Sequence, residues 1–182
     1  MRIIAGMYRG RTLAPVRETG VRPATDRVKG AIFNVLQNRL RIHGALVLDL
    51  FAGTGSLGFE ALSRGAGRVV FVDSGSPLLE TLEANAGRLG CEEACEMIIA
   101  DALAYVQSEP GSFDLIFADP PYEYRDTPLI PGLIAKHQLL KNEGFLIIEH
   151  ARRTSFEPAP PLEPVVRKEF GNTHVTFFAQ KQ

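Results

Sequence analysis

The chain has 182 residues, enough for one domain of ordinary size with a real core. At 45% hydrophobic and 23% charged residues it reads as globular, and no apolar run nears the ~20 residues of a membrane span. The net charge of −1 argues against binding polyanions by bulk charge, but the distribution is uneven: residues 1–41 hold nine Arg and Lys against two acids, and the remainder eleven against nineteen. A basic N-terminal arm on an acidic body points to a polyanion partner, although a solvated basic face has the same composition.

The opening MRIIAGMYRGR lacks the apolar core of a secretion signal, which predicts a cytoplasmic protein. Two β-like pieces, Arg2–Ala5 and Thr12–Val16, predict a small hairpin, and Glu18–Ala24 reads as a linker. Thr25 or Asp26 caps a helix expected to reach about Arg41, with Val28, Ile32, Val35, Leu36 and Leu40 at helical spacing. A strand–helix alternation follows, with strands at Ala45–Leu50, Arg68–Val72, Glu96–Ile99, Phe113–Ala118 and Gly144–Glu149. Helices are expected at Ser56–Leu62, Pro77–Leu89 and Ala102–Gln107, with Thr127–Leu140 partly helical. Such alternation predicts a parallel sheet covered on both faces. Thr154–Pro164 carries four prolines and reads as a loop. Val165–Phe170 and His174–Ala179 flank Gly171-Asn172-Thr173, a hairpin signal, so the last strand must run antiparallel. Cys91 and Cys95 lack zinc-site spacing and read as free thiols near a helix-to-strand turn.

The stretch Ala45–Gly58 joins a buried strand, a carboxylate (Asp49), a glycine loop and a helix start. Gly53, Gly55 and Gly58 satisfy G-x-G-x-x-G, so a nucleotide-like ligand is indicated and a dinucleotide is one candidate. Four strands end in aspartate: Asp49, Asp73, Asp101 and Asp119. Singly each reads as a cap or turn former; together they mark the carboxyl rim where ligands of open α/β sheets bind. A carboxylate at Asp73 suits two ribose hydroxyls, one at Asp101 an adenine amino group, and one at Asp49 a cationic amine. NAD lacks that amine; S-adenosylmethionine has it.

Asp119-Pro120-Pro121-Tyr122 follows a buried strand. The prolines remove two N–H donors and stiffen the chain, leaving the Asp119 carboxylate and the Pro120 carbonyl as acceptors. Two acceptors suit an exocyclic –NH2 whose lone pair must be aimed at an electrophilic methyl, and Tyr122 offers a face for stacking a base.

On DLFAGTGSLGFEALSRGA, FVD, DPPY and the N-terminal RGRTLAPVRETGVRPATDRVKGAIFNVL, the chain resembles the RsmD family, class I adenosylmethionine-dependent methyltransferases acting on guanine N2 of small-subunit (16S) ribosomal RNA. Ala24 and Lys29-Gly30 depart slightly from the family's pattern. The resemblance implies one Rossmann-like α/β domain over residues 1–182, with a basic extension (1–41) and a catalytic core (42–182). It implies a seven-stranded sheet of order 3-2-1-4-5-7-6 with strand 7 antiparallel. It further implies cofactor contacts at Asp49, Phe51, Gly53, Gly55, Asp73, Asp101 and Ala102. Asp119, Pro120 and Tyr122 then handle the base, and no metal is needed. Thr25, Asp26 and Arg27 are expected to close over the cofactor. Arg9, Arg11, Arg22 and Arg27 are expected to meet RNA beside the pocket mouth, on a monomer serving ribosomal RNA or the small subunit. An adenine-N6 methyltransferase shares every central motif; a non-catalytic RNA-binding module would tolerate loss of Asp119, which is present, and an NAD oxidoreductase gives no reason for DPPY.

Overall fold

The computed structural model describes residues 1–15, 26–109 and 111–181. Val16, the linker, Arg22 and Thr25 lie outside the described residues. Helix α1 spans Asp26–Leu36, and β1 (Leu46–Leu50) leads through the glycine loop into α2 (Ser56–Ser63). Then come β2 (Arg68–Asp73), α3 (Ser76–Leu89), β3 (Cys95–Ile99), α4 (Ala102–Ser108), β4 (Phe113–Ala118) and α5 (Ile130–Lys136). The chain ends in β5 (Leu140–Ala151), β6 (Leu162–Phe170) and β7 (Thr173–Gln180). The seven strands form one sheet of order β3-β2-β1-β4-β5-β7-β6, parallel except for β7, which is antiparallel to both β5 and β6.

The strand period of two divides the core. Val47, Phe71, Leu115, Phe117, Ile147 and Phe177 face α1, α2 and α3 on one side. Leu48, Leu50, Val70, Ile116, Ile148 and Phe178 face α4 and α5 on the other. β6 closes the edge with mostly exposed residues, Arg167, Lys168 and Glu169 among them, and a register shift between Pro164 and Val166. Charges, proline and a bulge keep an edge strand from pairing with another chain. Cys91 and Cys95 flank a 3-10 turn as free thiols, with Sγ atoms 3.9 Å apart.

Three elements differ from the sequence expectation. α1 stops at Leu36, not Arg41, because the chain turns there and Leu40 packs back on the core. β5 starts at Leu140, before Gly144, and its register to β4 shifts between Phe113 and Leu115. The N-terminal hairpin is short: around its one bridge, Arg2 to Thr12, the Ile3 N–H donates to the Arg11 carbonyl and the Leu13 N–H to the Met1 carbonyl, while the next donors of the arm go to α2. Ile4 and Ala5 N–H groups donate to the Glu60 carboxylate at 2.7 and 3.1 Å, and those of Met7 and Tyr8 to the Ser63 carbonyl and hydroxyl at 2.8 and 2.9 Å.

Glu60 is fully buried and also accepts from Arg64 Nε at 2.8 Å. Lys29 Nζ lies 3.9 Å from it and donates to the Arg2 carbonyl (2.6 Å) and Ser56 Oγ (3.1 Å). Burial pulls the Lys29 ammonium below its ordinary pKa, and the Glu60 charge opposes that. Removing one member of such a network strands the others without water. Glu60→Ala should therefore cost about 3–5 kcal/mol in urea unfolding, and more than Lys29→Met, because Glu60 alone holds both the arm and the cations.

Candidate active site

The site gathers at the carboxyl ends of the parallel strands. Asp49, 2% exposed, points toward the α2 side, and its Oδ2 accepts from the Gly58 N–H in the first turn of α2 at 2.9 Å. Burial pushes its carboxyl up to about 8; the Gly58 N–H opposes this and the charge of Asp73 adds to it. Phe51 follows with φ of 58°, a left-handed conformation costly for an aromatic residue, and its ring meets Tyr124 edge-on at 5.0 Å. Gly55 has φ of 77°, and a Cβ there would lie 2.5 Å from the Phe59 ring. A Cβ on Gly58 would lie 2.3 Å from the Phe71 ring, so α2 sits tight on β2 only with glycine there.

Asp73, at the end of β2, accepts from the N–H groups of Gly53 (2.9 Å) and Gly75 (3.1 Å), one on each oxygen. Each oxygen keeps a lone pair for a further donor. Asp101 is exposed and caps α4 through the Ala104 N–H at 2.9 Å, so the ordinary role of a strand-end aspartate is realised there. Ala102 is buried beside it as the first residue of α4.

Asp119 follows β4 at the rim. Burial, then the charges of Glu149 and Asp49, hold its carboxyl well above the usual carboxylate range. Pro120 is buried, while Tyr122 stands 44% exposed with its hydroxyl on the Thr173 hydroxyl of β7. That tether sets the ring at the rim while leaving a face open. Glu149 is a fifth rim carboxylate, missed by a reading that followed strand-ending aspartates. Its signal was its place at the end of the apolar run of strand five.

The basic arm is placed differently from expectation. α2 runs from the rim to Ser63 at the opposite edge of the sheet, and the Met7 N–H is bonded there. Arg9 is therefore exposed near the amino edge, and Arg11 donates to the Arg88 carbonyl in the last turn of α3 at 2.8 Å. Neither lies beside the pocket mouth; the docking of the arm on Glu60 and Ser63 carries them away. Asp26 pairs with Arg2 at 2.9 Å. Arg27 does lie at the rim, stacked 5.8 Å over the Phe170 ring. Arg125 and Arg152, exposed on the loops after β4 and β5, join it there.

The model of the family described as Conserved hypothetical protein 95 matches residues 1–179. The chain is 36% identical to the putative rRNA methyltransferase YlbH of Bacillus subtilis over the full length of both. It is 39% identical to Ribosomal RNA small subunit methyltransferase D of Haemophilus influenzae, over 82% of this chain and 78% of that one. Among solved structures, a putative methyltransferase from Escherichia coli superposes with a TM-score of 0.88 at 27% identity, covering 100% of this chain and 98% of that one. A putative methylase from Haemophilus influenzae does so with 0.84 at 30% identity, with the same coverage. A match running almost end to end, on a sheet of this order, makes the chain a member of the RsmD family of adenosylmethionine-dependent methyltransferases.

Proposed function

We propose that this protein transfers a methyl group from adenosylmethionine to the exocyclic N2 of a guanine in small-subunit ribosomal RNA. The observation that carries the reading is the pairing, on one rim, of the glycine loop with Asp119-Pro120-Pro121-Tyr122. The relatives' names supply the RNA. The residues present fit the cofactor: Asp49 is a buried carboxyl whose proton a cationic amine would displace, and Asp73 keeps acceptor capacity while fastening the loop. Gly53 and Gly55 let the backbone approach, Phe51 shapes the loop, and Asp101 with Ala102 borders the adenine end.

Bound adenosylmethionine supplies a methyl group on a positively charged sulfur. Asp119 and the Pro120 carbonyl accept the two amino N–H bonds and turn the nitrogen lone pair toward that methyl; as the nitrogen gains the methyl and the sulfur becomes a neutral thioether, the Asp119 carboxylate takes one of the two amino protons. Tyr122 stacks the base, which must leave its helix to reach the rim. Orientation and a site set for the changing charge supply most of the rate. Phosphates flanking the base meet Arg27, Arg125 and Arg152, and the protein acts in the cytoplasm as a monomer. Among the described residues no helix is long and apolar enough to cross a membrane.

Incubation with labelled adenosylmethionine and small-subunit RNA should yield N2-methylguanosine on nucleoside analysis; N6-methyladenosine would instead establish the adenine-N6 reading. Asp119→Ala should lose most single-turnover rate while cofactor affinity by calorimetry stays near the parent value. Asp49 titrates at about 8 in the free protein, so it is mostly neutral at pH 7 and must ionise to hold an ammonium. Cofactor affinity should therefore climb between about pH 6 and 8, with proton release visible in buffers of different ionisation enthalpy, and fall above that as the free amine titrates. RNA affinity measured across salt should show a slope flattened by up to about two units in Arg125→Ala/Arg152→Ala, one per phosphate contact, and unchanged in Arg9→Ala.

A further inference from the structure

Glu149 lies one step beyond the β4–β5 pair Ala118–Ile148, across from Asp119, on the sheet face covered by α1. Parallel strands run about 4.8 Å apart, so the two carboxyl groups stand side by side. On its other flank Glu149 pairs with Val175 of β7, which is fully buried. Glu149 is only 6% exposed, and its Oε2 has no hydrogen-bond partner. No Lys, Arg or His forms an ion pair with it among the described residues. The described residues also contain no group of three acidic, His or Cys side chains placed to hold a metal ion. A buried carboxyl oxygen with no donor is costly, and a purely structural position there would be filled by an apolar side chain or a bonded one. That oxygen lacks a donor, and a ligand entering beside Asp119 can bring one.

We propose that Glu149 reads the base: its carboxylate accepts the N1–H of the target guanine while Asp119 and Pro120 hold the adjacent N2 amino group. The assignment rests on the guanine-N2 reading above. The Watson–Crick edge of guanine presents N1–H next to N2–H2, two neighbouring donors for two neighbouring carboxyl groups. Adenine presents an amino group next to a bare N1 lone pair, which a carboxylate in that place repels. Glu149 is thus a specificity-determining residue, and discrimination against adenine comes from a group left facing a lone pair. Burial pushes its carboxyl up to about 7, which keeps the empty site from holding two adjacent full charges and lets an entering donor draw out the ionised form.

The test uses an RNA fragment carrying the methylated site, made with guanine or with 2-aminopurine at the target. 2-Aminopurine keeps the 2-amino group but has a lone pair at N1. Single-turnover rates are taken at about pH 8.5, where the Glu149 carboxyl is ionised. The parent should prefer guanine by roughly ten- to a hundred-fold, the worth of one charge-assisted hydrogen bond. In Glu149→Gln the preference should shrink about ten-fold or more, because an amide can accept from N1–H or donate to N1; Glu149→Ala should shrink it too. A merely structural role would slow both RNAs equally. An unchanged ratio in both variants, with the parent making N2-methylguanosine, overturns the assignment of Glu149 alone. Failure of the parent to make N2-methylguanosine overturns the proposed function and this assignment with it.

Discussion

The hydrogen bond from the Gly58 N–H to the buried Asp49 carboxyl ties the first strand to the helix that follows it. The helix N-terminus is where free N–H groups and positive dipole potential collect, and Asp49 takes one of those donors from across the loop. Because α2 is held at this distance, the turn between has to pass through left-handed conformations at Phe51, Gly53 and Gly55. Asp73 then fixes the loop from the side through the Gly53 N–H. Backbone donors thus hold the Asp49 and Asp73 carboxylates in place at the rim.

A second constraint is the Glu60 carboxylate. It converts the N-terminal arm from a free basic segment into part of the fold, since two arm N–H groups end on it. The positive charge of the arm is therefore divided: Lys29 is buried against α2, Arg2 is paired with Asp26, Arg11 caps α3, and Arg9 is left at the amino edge. A count of arginines along the sequence treats these as one patch; the fold does not.

The rim itself runs the other way electrostatically. Asp49, Asp119 and Glu149 share one face of the sheet, and burial raises all three carboxyl groups above their ordinary range. Such a site favours ligands that bring positive charge or hydrogen-bond donors, as an ammonium group and an amino-bearing base edge do. Exposed arginines stand on the loops around it, where a polyanion can be held without neutralising the carboxylates.

The sequence by itself determined the strand–loop–helix units, the strand order through the family resemblance, and the aspartates at the strand ends. These are local: a buried strand, a glycine turn and a capping carboxylate are written within about twenty residues, and periodicity exposes them. Asp49, Asp73 and Asp119 were legible as carboxylates of the strand-end rim for that reason, and Asp101 as well, although the fold uses one of its oxygens to cap α4. Tertiary structure alone decided where the arm docks, because the Ile4–Glu60 bond spans 56 residues and no local pattern announces it. It alone brought Tyr122 to Thr173, 51 residues away, and set Glu149 opposite Asp119. In sequence Glu149 is one of several polar residues in a twelve-residue strand; only the register of β5 on β4 makes it half of a pair.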